Sequence, residues 1–168
     1  MGWLRRREAP PQEVVAALPR EDRVLSWADV DPAGGGGVVV ASTLGLWWPG
    51  PDGPRCIGWQ FVDKAVWRDG VLSVDEAEVV DDVLLVDRPT VSVRLTVARD
   101  LPPTIRKRVE ANVLRSQVYP LPGGAGRFVA RRVPGQDGVT WRVRLEPGTS
   151  DGPSVRAAIE QRLQELRG

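Results

Sequence analysis

The apolar positions of this chain follow two different periods, and the change of period divides it. From Arg23 to Ala98 they recur every second residue, in short runs separated by Gly, Pro and Asp clusters. That is the pattern of half-buried strands joined by tight turns. Residues 23–30 predict a first strand, with Leu25 and Trp27 on one face and Val24, Ala28 and Val30 on the other. Residues 38–48 predict a long apolar strand closed by Pro49-Gly50-Pro51-Asp52-Gly53-Pro54, and residues 55–61 a third. Residues 64–68 and 71–74 flank Asp69-Gly70, a pair that tolerates the positive φ of a type I′ hairpin turn. A short strand over 83–86 and an alternating one over 90–98, with Val91, Val93, Leu95 and Val97 inward, complete the run. Six or seven short strands in about 75 residues predict a meander rolled into a barrel or sandwich.

After Ala98 the period becomes helical. Asp100 is placed to cap a helix with Pro102 and Pro103 in its first turn, running to about Leu114 with Ile105, Val109 and Val113 on one face. A hairpin over 127–133 and 139–145 follows, then a closing helix over 153–166 with Thr149, Ser150 or Asp151 near its cap. Val155, Ala158, Ile159, Leu163 and Leu166 form that helix's core stripe, and Arg156 and Glu160 an i,i+4 pair on its wet side. The expected fold is α+β: an antiparallel β-barrel or sandwich with a mid-chain helix, an extra hairpin and a C-terminal helix. Residues 1–20 read as a Pro-rich leader with one short helix at 11–18, in which Trp3 either docks on the body or serves as an interaction tail. Residues 21–168 read as one β-rich domain: 21–98 meander, 99–116 helix, 117–147 hairpin and 150–167 helix.

The set Arg23-Val-Leu-Ser-Trp27, Val39-Val-Ala-Ser-Thr-Leu-Gly-Leu46, Ile57-Gly-Trp59, Ala65-Val-Trp67, Leu101-Pro-Pro-Thr-Ile-Arg-Lys-Arg-Val109 and Val129-Ala-Arg-Arg132 resembles a conserved actinobacterial protein family without an assigned mechanism. In outline the early part is similar to bacterial pleckstrin-homology-like domains. That resemblance implies antiparallel strands followed by a helix that plugs an open barrel. The hairpin and second helix that come later depart from the plan, so either helix could be the plug. Such a likeness carries an architecture and not a ligand.

Composition matters mainly through what it removes. The chain has no histidine and one cysteine, Cys56, so Ser-His-Asp chemistry, a disulfide and Cys-based metal sites are not expected. No catalytic residue, metal ligand or cofactor is assigned. Cys56 reads as a small residue packed in a strand, on the face opposite Ile57. No window of about 18 apolar residues is present and no apolar segment follows the basic N-terminus, so the expected location is cytoplasmic. Arginine outnumbers lysine 21 to 2, in keeping with a high-GC coding bias, while the net charge is only +1. A global polyelectrolyte argument for nucleic acid therefore fails.

Local charge is less balanced. Asp75, Glu76, Glu78, Asp81, Asp82 and Asp87 form an acidic stretch that fits no EF-hand spacing and reads as a solvated strand edge. The run Gly34–Gly37 leads into Val38-Val39-Val40 rather than Lys-Ser/Thr and a helix, so it reads as a hairpin loop and not a phosphate loop. Pairing Val133 with Val139 puts Arg132, Arg142 and Arg144 on one surface with Phe128 and Thr140, and sends Val129, Val133, Trp141 and Val143 to the core. Arg131 then faces Trp141, where a cation–π contact is expected. With Arg106, Lys107 and Arg108 on the preceding helix these form a candidate basic surface. It either solubilises the hairpin and pairs with the acidic stretch, or binds a phosphate-rich partner such as a lipid headgroup or nucleic acid. Trp47-Trp48 beside the Pro/Gly loop is a candidate interface anchor, since neighbours in a strand point to opposite faces. The expected function is a non-catalytic binding or scaffolding module for a protein or anionic ligand. The alternatives are an accessory subunit or carboxylate-based enzyme, nucleic-acid binding, and a homodimer through a sheet edge.

Overall fold

A computed structural model describes residues 9–168; Trp3 and its expected docking or tail role lie outside them. In chain order the elements are α1 (Gln12–Ala17), β1 (Val24–Val30), β2 (Val38–Ser42), β3 (Gly45–Trp48), β4 (Arg55–Gly58), β5 (Val62–Arg68), β6 (Val71–Val80), β7 (Leu84–Asp87), β8 (Val91–Val97), α2 (Leu101–Asn112), β9 (Val113–Leu121), β10 (Gly124–Arg131), β11 (Thr140–Leu145) and α3 (Pro153–Arg167). Among the described residues the architecture is α+β, with three α-helices and one large, mostly antiparallel sheet. Its strands run β4-β3-β2-β1-β8-β6-β7-β11-β10-β9, with β5 on the other side of β6. The sheet stays open: among the described residues no ladder joins β4 to β5, so of the expected barrel or sandwich it is a sandwich-like class that fits.

One long hairpin organises the sheet. Asp69 and Gly70 take φ of 51° and 78°, as a type I′ turn requires, and launch β6 antiparallel to β5. β6 then runs on past β5. Its first half pairs with β8 (Val74↔Val91) and its second half with β7 (Ala77↔Asp87). These registers differ by a single residue, so β7 and β8 are nearly one strand, broken at Arg88-Pro89-Thr90. On the outer side β8 pairs with β1, whereas β7 pairs in parallel with β11. The hairpin therefore belongs to two halves of the sheet at once.

Each half has its own apolar cluster. In the first, Ala28, Val30, Val39, Ala41, Leu46, Trp48, Ile57, Trp59, Val62, Leu72, Val74 and Leu95 surround Leu101 and Ile105, which α2 drives into the concave face. In the second, Leu84, Leu121, Phe128, Ala130, Trp141 and Val143 pack on Val155, Ile159 and Leu163 of α3. Fully burying side chains of this size contributes about 1.5–3 kcal/mol each.

Several expectations are corrected. Residues 38–48 are two strands, because Ser42 turns the chain: its hydroxyl oxygen accepts from the Gly45 amide at 3.3 Å. Residues 59–61 form a 3-10 turn after β4, not part of it. Val97 is exposed rather than inward. Asp100 precedes α2 but makes no side-chain cap; its carboxylate accepts from Ser26 at 2.6 Å. The helix stops at Asn112, and residues 113–121, divided in the expectation between the helix and the hairpin segment, form β9. No side chain caps α3, and Arg156 pairs with Asp151 and Asp81, not Glu160.

Candidate functional site

The arginine surface does not assemble as expected, because the β10–β11 register differs by one residue. Arg131 pairs with Thr140 and Ala130 with Trp141, so Phe128, Ala130, Trp141 and Val143 face α3. Arg127, Val129, Arg131, Arg142 and Arg144 share the other face. A one-residue slip exchanges the two faces of a strand. Arg131, expected on Trp141, is instead buried on the opposite face; Arg115 of β9 lies over the Trp141 ring, 5.6 Å from its centroid. Arg132 has left the strand and is exposed.

The buried arginine sits where the two halves of the sheet meet. Arg131 Nη1 donates to the Val62 carbonyl at 3.4 Å and to Asn112 Oδ1 at 3.3 Å. Its Nη2 lies 3.6 Å from Asp63 Oδ1, which Arg144 Nη2 also approaches at 3.4 Å. Arg144 reaches Asp87 as well. Burial is the main influence holding the Arg131 guanidinium below the usual arginine range; Asp63 works against it and the charge of Arg144 with it. Arg142 is held down by burial too, and its Nη1 donates to the Trp141 carbonyl at 3.1 Å.

Arg106, Lys107 and Arg108 follow one another on α2 and so point about 100° apart. Arg106 pairs with Glu110 at 2.9 Å, Lys107 is exposed and Arg108 is partly buried. They do not form one patch. Arg106 does rim a cleft of about 620 Å³ between α2 and β5, with Pro102, Pro103, Val109, Trp67 and Leu72 as its walls and floor. Trp67 pairs with Leu72 and Ala65 with Val74, so both point toward the concave face. Yet α2 does not cover Trp67, which is 40% exposed. Among the described residues β5 pairs only with β6, so its other edge is open beside the cleft. In a hairpin with a two-residue loop, Arg68 and Val71 form the hydrogen-bonded pair. The N–H and C=O groups of Ala65 and Trp67 consequently point to the open edge. Sequence alternation places Trp67 inward but contains nothing about where the helix leaves it uncovered.

The Trp47-Trp48 pair is bound up with structure. Trp48 is in the core at 5% exposure, and the half-buried Trp47 indole donates to Asp22 Oδ2 at 3.0 Å. Asp22 is a buried carboxylate without a cationic partner among the described residues. Oδ2 also accepts from the Ser42 hydroxyl at 2.7 Å, and Oδ1 from the Thr43 hydroxyl and the Leu44 and Arg23 amides at 2.8, 3.0 and 3.0 Å. Burial alone would raise its pKa. The donors from Ser42, Trp47, Thr43 and Leu44 together outweigh burial and hold it below the usual carboxylate range. The Cys56 thiol is pushed up to about 11 by desolvation and by the charge of Asp22, although the residue as a whole is exposed.

The acidic stretch is dispersed and partly spent on arginines. Glu76 is buried and accepts a bidentate pair from Arg55 at 3.0 and 2.8 Å, so it is no solvated edge residue. Asp81 meets Arg156 and Asp87 meets Arg144. No helix among the described residues is long and apolar enough to cross a membrane. No protein-family model, curated protein or solved structure matches the chain.

Proposed function

We propose that the chain is a cytoplasmic, non-catalytic binding module of pleckstrin-homology-like outline, which receives an extended segment of a partner protein as an added strand on β5. The carrying observation is the open β5 edge beside a cleft into which a 40% exposed Trp67 projects. Main-chain bonds to an unpaired edge supply affinity and alternate side chains supply specificity. The occupant's inward residues would be apolar, to cover Trp67, Pro102 and Val109. Its outward residues would be polar, because the outward face beside it carries both signs: Lys64 opposite Asp75, and Arg68 paired with Asp69. The outline is supported by the strand order β4-β3-β2-β1-β8-β6-β5 with α2 seated in the concave face. Glu76, Asp81 and Asp87 are committed to arginines, which speaks against a carboxylate-based enzyme.

A displayed peptide library tests this directly. Peptides selected on the full chain are expected to alternate apolar and polar residues. They should lose binding to Ala65→Pro, which removes one outward N–H while leaving the β5–β6 ladder in place. Failure to select any peptide, or equal binding to Ala65→Pro, refutes the reading. A dimer seen by light scattering and abolished by the same substitution would assign the edge to a second copy instead.

A further inference from the structure

A second, smaller cavity lies apart from the cleft, between the 3-10 turn Trp59–Phe61 and the β10–β11 hairpin. It measures about 180 Å³ and is lined by Gln60, Arg131, Thr140 and Arg142, with Phe61 and Val133 as apolar walls. A water molecule occupies about 30 Å³ of liquid, so several atoms fit. The cavity is well below the roughly 300–1,000 Å³ of pockets for drug-sized ligands. It suits a small polar group.

Its polar atoms are unfinished. Arg131 is 6% exposed, and its Nε has no hydrogen-bond partner; Gln60 Oε1 is likewise buried and unpartnered. Buried polar groups are nearly always satisfied, so an orphaned donor of this kind calls for an explanation. Charge adds to the case. Arg131 and Arg144 bring two guanidiniums to the junction, with the carboxylates of Asp63 and Asp87 in ion-pair range of them, and Arg142 lines the cavity as a third arginine. Arg142 has no carboxylate within 4 Å among the described residues; exposed Asp82 acts on it only at longer range, and Arg167 opposes that. One positive charge is therefore left over at a site with free donors.

We propose that this cavity binds a phosphate group, with Arg131 Nε, the Arg142 guanidinium and the Thr140 hydroxyl donating to its oxygens. The Gln60 side chain, turned about its terminal bond, presents its amide N–H₂ to the same group. Planar guanidinium forks match phosphate oxygens well, and such charge-assisted bonds are about twice as strong as neutral ones. The site is independent of the β5 edge and stands or falls separately from it. The same chemistry could come from free phosphate or from a phosphate displayed on a lipid, and the two are separable.

The isotope-labelled full chain is titrated with inorganic phosphate, using potassium chloride at matched ionic strength as the reference. Vesicles containing phosphatidic acid provide the second probe. Saturable shifts of the Gln60, Thr140 and Arg142 amides with phosphate are expected, about tenfold weaker in Arg142→Gln. Thr140→Val, which removes only the hydroxyl, should weaken binding severalfold, and the exposed Arg132→Gln should leave it unchanged. Binding confined to vesicles but lost in Arg142→Gln assigns the phosphate to a lipid headgroup. Equal shifts with chloride, silence toward both probes at millimolar concentration, or full binding by both pocket variants would overturn the proposal.

Discussion

Asp22 offers the sharpest test of how the first half of the sheet is held. It stands just before β1 and gathers the β2–β3 turn through donors on both oxygens: Ser42 and Trp47 on one, Arg23, Thr43 and Leu44 on the other. Asp22→Asn keeps the shape but turns an N–H₂ toward one of the two donor groups, whichever way the amide lies. Hydrogen bonds to charged groups contribute about 1.5–3 kcal/mol each, but they do not simply add here. With Asn the N–H₂ can face the side that has alternatives: Trp47 Nε1 keeps Ser42 Oγ at 3.2 Å and the Ser42 hydroxyl turns its proton to the Gly45 carbonyl, while Asn Oδ1 still accepts from the Leu44 amide and the Thr43 hydroxyl. Asp22→Ala removes that acceptor outright. The expected loss is about 2–4 kcal/mol for Asp22→Ala and about 1–3 kcal/mol for Asp22→Asn, a heavy cut from a domain stability of about 5–15 kcal/mol. Because the folded pKa is depressed, the unfolded state takes up the proton first. The contribution is therefore complete above the unfolded pKa of about 3.9 and fades as the pH falls through the folded value. Urea unfolding across a pH series should show the gap between wild type and Asp22→Asn narrowing below about pH 4. A variant within about 0.5 kcal/mol of wild type at neutral pH, or a gap unchanged in acid, would refute the account.

Two further outcomes follow from burial. Ile159→Ala in α3, at 1% exposure against Phe128 and Trp141, should cost about 2–5 kcal/mol in denaturant unfolding, while Gln161→Ala on the exposed side should be within about 0.5 kcal/mol. Cys56, with its thiol pushed up to about 11 from 9.0, should hold roughly a hundredfold less thiolate at pH 8 than an unperturbed thiol and react with disulfide reagents correspondingly slowly. Reaction at the rate of a free cysteine would contradict the desolvated environment assigned to it.

What the sequence discloses depends on whether a local signal decides the matter. The Asp69-Gly70 turn is set by two residues that tolerate positive φ, and α3 by a stripe whose Val155, Ile159 and Leu163 are all buried. Both are legible because the deciding interactions are local. The break between β2 and β3 left a weaker trace. Gly45 is required there, since a Cβ would lie 2.4 Å from the Ile57 carbonyl oxygen and 2.8 Å from Cys56 Sγ, but that crowding comes from a strand ten residues on. β9 is harder still. It is a sheet edge with exposed Leu114 and Val118 and contains Pro120, which the alternation rule counts against a strand but an edge accommodates. The cleft depends on where α2 comes to rest, which no periodicity encodes.

The β10–β11 register shows how one unread contact moves a whole site. Both faces of this hairpin carry apolar residues, so pattern alone does not choose between pairing Val133 with Val139 and ending the ladder at Arg131–Thr140. The end of β10 is anchored on α2: the Arg132 amide donates to the Asn112 carbonyl at 3.1 Å, and Asn112 Nδ2 donates back to the Arg132 carbonyl at 2.5 Å. The β10–β11 ladder ends at Arg131–Thr140, and Val133 and Val139 lie in the loop beyond it. The shift turns Phe128 and Ala130 toward α3 and Arg131 into the junction, where Asn112 Oδ1 receives its guanidinium. One asparagine thus both anchors the end of the strand and helps seat the buried arginine. The arginine expected to stack on Trp141 is the one the fold places against the unfilled polar cavity, and the exposed Arg132 beside it is left without a site.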